Sequence, residues 1–288
     1  MDTHIHTGDT DGTTEEVKKD PRKGVSDDIR QIGIVTKYEI YKHLRSRRML
    51  IFVGLAVLVI VLITVLSLYL NGSLPDDPTE LVSGYTGFVA LLIIIGVSLF
   101  CAPTIAAEFE ERTALLMFPR PIRKTSFFIG KALACYIICG LIVGLYYLIC
   151  IILSLANTGS VDTNVFLSLG YALLFMVAAG GFALFLSSLL KKGSTAVIVT
   201  IAVLLLVFNI VDSMMMLFHV EPLFSLTYAG SDISNIIDGK TTYDIYIEMA
   251  DLSVIQYYPA HNMSAFIMTV WASITTMLSA VLFHRREF

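Results

Sequence analysis

The sequence predicts an all-α integral membrane protein with six transmembrane helices, and three observations carry that reading. Of the 288 residues 56% are hydrophobic and only 15% charged, where soluble domains carry about a quarter. Six apolar stretches are each long enough to cross a bilayer as a helix of about 20 residues. The basic residues then fall on alternate connections, as they do when a chain weaves through a membrane.

The apolar stretches run over Met49–Leu70, Gly84–Ala107, Ala132–Ala156, Val165–Leu190, Gly193–Val211 and Ala265–Phe283. In lipid every backbone polar group must be satisfied within the segment, so helices are expected. Ten of the 20 Lys and Arg precede the first span. The connection between spans two and three holds Arg112, Arg120, Arg123, Lys124 and Lys131. Lys191 and Lys192 separate spans four and five, and Arg285 and Arg286 close the chain. Only Lys240 falls on the other side. The positive-inside rule puts both termini in the cytoplasm of a multi-pass cell-membrane protein.

Residues 1–28 are polar and rich in Asp, Glu, Thr and Gly, and read as a disordered cytoplasmic tail; residues 29–288 form the transmembrane domain. Between residues 28 and 48, Ile29, Ile32, Val35, Ile40 and Leu44 alternate with Arg30, Lys37, Lys42 and Arg45. This pattern predicts an amphipathic interfacial helix on the inner membrane surface, anchored by Arg45, Arg47 and Arg48. The outer connection, 212–262, is long. Short helices at headgroup level are expected in it over 242–258, with Tyr243, Tyr246, Tyr257 and Tyr258 as interfacial aromatics.

The connection after span two is the most informative segment. Glu108, Glu110 and Glu111 crowd the end of the span. Thr113 opens a short apolar run, and Pro119 and Pro121 stop it before Arg123. A short helix with an apolar face held under a membrane suits a groove on a partner protein; a solvated turn is the alternative from the residues alone. Within the spans, Gly140 and Gly144 form a G-x-x-x-G suited to helix packing, within the chain or against a second copy. Gly180-Gly181 is either a flexible point or a close contact. The spans are expected to hold no buried ion pairs. No intramembrane charge marks a proton or sodium path, which favours an externally powered machine.

The segment from Glu108 to Lys131 resembles the cytoplasmic loop of ABC-2 type permeases, the membrane subunits of one class of ATP-binding cassette transporters. Glu108, Glu110 and Thr113 match its opening, Pro121 and Arg123 its Pro and Arg, and Gly130-Lys131 its closing pair. Arg112 stands where the family usually has Gly. The resemblance extends over residues 29–288. It implies a permease, an exporter in this reading, that pairs with a separate ATPase subunit and a second permease copy in membrane lipid, with no nucleic-acid partner. Glu108, Glu110, Glu111, Thr113, Pro119, Pro121 and Arg123 would form the coupling helix between helices two and three. No catalytic or metal residue is implied. The chain lacks the G-x-x-x-x-G-K-[ST] phosphate loop, so it needs no cofactor of its own, and ATP and Mg would sit on the partner. An intramembrane metalloprotease-like enzyme, suggested by Glu110-Glu111, and a six-helix membrane scaffold are the competing readings.

Overall fold

The structure is a computed structural model that describes residues 21–110, 124–240, 246–249 and 252–285. Six helical segments in it are long and apolar enough to cross a membrane: Arg47–Leu70, Pro78–Glu108, Lys124–Thr158, Asn164–Leu189, Gly193–Leu217 and His261–Arg285. Helix α1 (Pro21–Leu44) leads into α2 (Arg47–Asn71), the first span. Ser46 starts α2 by accepting a hydrogen bond from the Met49 N–H, and Gly72, at φ +75°, ends it in the left-handed conformation that glycine adopts at least cost. Helix α1 starts at Pro21, so residues 21–28 are helical rather than part of a tail.

The second span is built from three pieces, α3 (Pro78–Thr86), α4 (Val89–Phe100) and α5 (Pro103–Glu110). Breaks inside a bilayer are tolerated only where the freed backbone groups find partners. At the first break the Tyr146 hydroxyl donates to the Tyr85 carbonyl at 2.9 Å, and the Tyr85 hydroxyl meets Thr64 at 2.7 Å. The third span, α6 (Lys124–Thr158), begins eight residues before its apolar stretch, so Lys131 lies inside the helix and not in a loop. Spans four and six are α7 (Asn164–Leu189) and α12 (His261–Arg285). Span five comprises α8 (Gly193–Ala202) and α9 (Phe208–Leu217), joined by a π-helical turn at Val203–Val207.

Spans two and four are the most enclosed, and spans one and five expose most of their apolar surface. Span four packs along span six. A Cβ added to Gly181 would lie 2.7 Å from the Thr275 hydroxyl and 2.8 Å from that of Thr276. A Cβ on Gly180 would meet the Tyr136 ring at 2.6 Å. Ser188 and Ser279 share a hydrogen bond at 2.8 Å further along the same seam. The Gly180-Gly181 pair is therefore a close contact. Gly140 meets Leu173 and Met176 only at ordinary distance, and Gly144 has nothing within 4 Å. Within the chain, the G-x-x-x-G is thus not a site of tight packing, whereas Gly180 and Gly181 of span four are.

The connection between spans five and six differs from its expectation. Residues 246–255 hold two short antiparallel strands, β1 (Tyr246–Met249) and β2 (Leu252–Ile255), where helices were expected. The alternation of Ile247, Met249, Leu252 and Val254 with polar neighbours suits a ribbon. The short helices come earlier, as α10 (Leu226–Gly230) and α11 (Asp232–Asp238). They dip onto the bundle: Gly230 lies against the Phe175 ring, Ser168 donates to the Ile233 carbonyl at 2.6 Å, and Trp271 donates to the Phe224 carbonyl at 2.8 Å. Tyr243 lies outside the described residues, and Tyr257 donates to the His219 carbonyl at 3.1 Å. Asp232 is fully buried and pairs with His261 at 2.8 Å.

Two outcomes follow from these contacts. Gly181→Ala must push back two threonine hydroxyls, which overpacks the seam by about 1–3 kcal/mol; a melting curve in detergent should fall accordingly, while Gly144→Ala should leave it unchanged. Burial raises the Asp232 carboxyl above its ordinary range against the opposing pull of His261. Its contribution to folding is therefore complete below the ordinary carboxylate range and is lost as the pH rises through the raised value. Asp232→Asn should remove that part of the pH dependence in a series of melts.

Candidate functional site

Helix α5 is the stem that delivers the chain to the connection after span two, and polar contacts fix it from several sides. Pro103 sets its first turn, and the N–H groups left without helical partners need acceptors. Ser187 of α7 supplies one: its hydroxyl accepts from Ile105 at 3.1 Å and Ala106 at 3.0 Å. A serine from another span thus caps this helix. At the other end of the stem, the Glu110 carboxylate accepts from the Gly193 N–H at 2.9 Å. Gly193 opens α8, so the carboxylate sits at a helix N-terminus, where the dipole favours negative charge. A Cβ on Gly193 would stand 3.3 Å from that of Ala107, so the two backbones approach closely.

Between these ties lies a buried ion cluster. Lys131 of α6 is 3% exposed, and its ammonium donates to Glu108 of α5 at 2.7 Å and to Glu39 of α1. Lys42 stands 3.7 Å from Glu39 and 3.9 Å from Glu108. Beside the cluster, Thr36 of α1 donates to the Gly130 carbonyl at 3.1 Å, and a Cβ on Gly130 would strike Val35 at 2.8 Å. The expectation that the spans hold no buried ion pair is corrected here. A charge assigned to a loop lies inside a span because the helix starts earlier, and two carboxylates compensate it. Helix α1 is also more than a surface float. One side packs on α6, while Ile29, Ile34, Tyr38, Tyr41 and Leu44 remain exposed.

Of the residues picked out from sequence, Glu108 and Glu110 are brought to this stem. Glu111, Thr113, Pro119, Pro121 and Arg123 lie outside the described residues. Arg45, Arg47 and Arg48 are exposed at the junction of α1 and α2. Glu39, Lys42, Lys131, Ser187 and Gly193 are the additions. Glu39 carried a signal, being the sole acidic residue between 29 and 48; Ser187 carried none. Glu108 of the acidic opening and Lys131 of the Gly-Lys closing of the loop segment, 23 residues apart, are thus in direct contact.

The family model described as an ABC-2 family transporter protein matches residues 34–288. The chain belongs to the ABC-2 family. It is a multi-pass membrane subunit of an ABC transporter, and the match begins within α1, so the amphipathic helix is part of the family unit. None of the curated proteins compared with it matches significantly. In this ABC-2 subunit, the stem and its ion cluster sit at the end of the bundle that carries the basic residues.

A cavity of about 260 Å³ lies toward the other end, between spans two, four and five and the α10–α11 pair. Leu91, Phe175 and Leu205 line one part and Asn209, Thr227 and Ser231 another, and no charged side chain faces it among the described residues.

Removing the central cation should be costly. Lys131→Met leaves Glu39 and Glu108 buried without their partner, a loss of about 3–5 kcal/mol. The triple change Glu39→Leu, Glu108→Leu, Lys131→Met should recover most of that loss in detergent melts, because the buried charges leave together.

Proposed function

We propose that this subunit is the permease of an ATP-driven exporter, working as a pair of permease copies with two separate ATPase subunits. The observation that carries the reading is the family match over residues 34–288 together with the anchored stem at Glu108–Glu110. The connection 111–123 would be the coupling helix seated on the ATPase, with the termini and the basic end in the cytoplasm of a cell-membrane protein. ATP closure of the partner would shift the equilibrium between permease conformations through its different affinity for the two states. Because the stem is tied to α1 and to spans three, four and five, displacement of the loop would be felt by most of the bundle. Glu108 and Glu110 then act as struts of that stem, and Glu111, Thr113, Pro119, Pro121 and Arg123 carry the docking surface. Spans one and five, the least enclosed, offer the faces for lipid and the second copy. The uncharged 260 Å³ cavity suits an amphipathic substrate without net charge.

The metalloprotease-like alternative needs a set of zinc ligands, and among the described residues no three His, Cys, Asp or Glu are placed to hold a metal. The test of the transporter reading is purification of the full chain from its own membrane in mild detergent. A P-loop ATPase is expected to co-purify. Glu111→Ala with Arg123→Ala should release it while leaving the melting temperature unchanged, whereas Glu108→Ala should lower the melting temperature. If no ATPase accompanies a correctly folded chain, the reading fails.

A further inference from the structure

A cavity of about 280 Å³ opens beside the ion cluster, between α1, the first turn of α2, α5 and α6. Its walls include Glu39, Lys42, His43, Ser46, Arg48 and Lys131. The two carboxylates are already engaged, since Lys131 donates to both. The remaining cationic and donor groups are much less so. Lys42 stands beyond hydrogen-bond reach of either glutamate, at 3.7 and 3.9 Å. Among the described residues the Arg48 guanidinium makes no ion pair or side-chain hydrogen bond. The His43 Nε2 is 3.8 Å from Glu39 and 4.0 Å from the Cys135 sulfur. Around this cavity, therefore, Lys131 and the two carboxylates are committed to one another, while Lys42 is held only by long ion pairs and Arg48 by none among the described residues. Lys42, Lys131 and Arg48 against Glu39 and Glu108 leave one net positive charge before His43 is counted.

Ammonium, guanidinium and imidazole donors converging on one space fit a tetrahedral oxyanion. The cavity also lies where α1 turns into the first span, at the end of the bundle that carries the basic residues. We infer that it is a binding site for a phosphate group, held by Lys42 and Arg48 with His43 as a third donor. A phospholipid headgroup and a soluble phosphate share that chemistry. The inference does not depend on the ATPase partner or on the direction of transport.

The test uses the full chain, stripped of lipid in a neutral detergent, with phosphatidylglycerol, inorganic phosphate and diacylglycerol as probes. Retained lipid is counted by native mass spectrometry, and the melting shift is followed against probe concentration. Phosphatidylglycerol should stabilise the chain, and Lys42→Gln with Arg48→Gln should weaken the effect about tenfold, the equivalent of one charge-assisted contact. Lys191→Gln with Lys192→Gln is the control, because those exposed lysines do not line the cavity. It should bind as the parent does. Competition by inorganic phosphate supports a site that reads the phosphate from either source. A lipid effect without competition supports the headgroup, and an effect of phosphate alone supports a soluble ligand. The inference is overturned if neither phosphate probe acts, if diacylglycerol acts as strongly, or if the two double variants lose binding equally. All four substituted side chains are exposed, so a uniform elution profile is expected for both variants.

Discussion

A lysine ammonium held away from water between two carboxylates constrains this protein more than any other contact. In a medium of low dielectric constant an unpaired charge is costly, so Lys131, Glu39 and Glu108 must stay together. They come from three elements: the amphipathic helix, the stem of the second span and the start of the third. Their separation would expose a charge to an apolar surrounding, and that fixes where α1 lies along the bundle. The glycine beside Lys131 removes the bulk that would otherwise keep α1 off α6, so the close approach and the charge pairing depend on each other.

The stem is the second consequence. A helix that begins with proline and follows a break has free N–H groups, and lipid offers them nothing. Ser187 takes two of them, and the Glu110 carboxylate at the other end satisfies the first N–H of α8. The same local needs that close the fold therefore bind spans four and five to one short helix, and the Lys131 ion pair adds span three. In the transporter proposed above, such a helix would give the ATPase a rigid point on which to act. A loosely held loop would absorb the movement instead of passing it on.

The opposite end of the bundle is organised by a different rule. There the connection is long enough to fold back, and α10 and α11 fill the space above spans four and six. Trp271, Ser168 and Asp232 supply the polar contacts. A glycine at position 230 lets the returning backbone reach the Phe175 ring. The uncharged cavity beneath this cap owes its shape to the break in span two and the π-helical turn in span five.

Much of this was legible in the residues. Apolar length sets the number of spans, because the bilayer thickness is a fixed ruler, and the basic residues set their alternation. The loop segment from Glu108 to Lys131 gave the family, since its spacing is local. Its chemistry was less legible: Glu108 read as a docking residue, but its side chain turns inward to Lys131, 23 residues on, and that lysine also holds Glu39, 92 residues before it. Ser187 looked like any small residue of a span, and the 246–255 ribbon looked like helix because short apolar runs fit either period. Sequence by itself determined the transmembrane count and the family. Only the tertiary structure decided which charges are buried, which glycines make close contacts and which residues cap the stem, because those depend on partners brought together from distant parts of the chain.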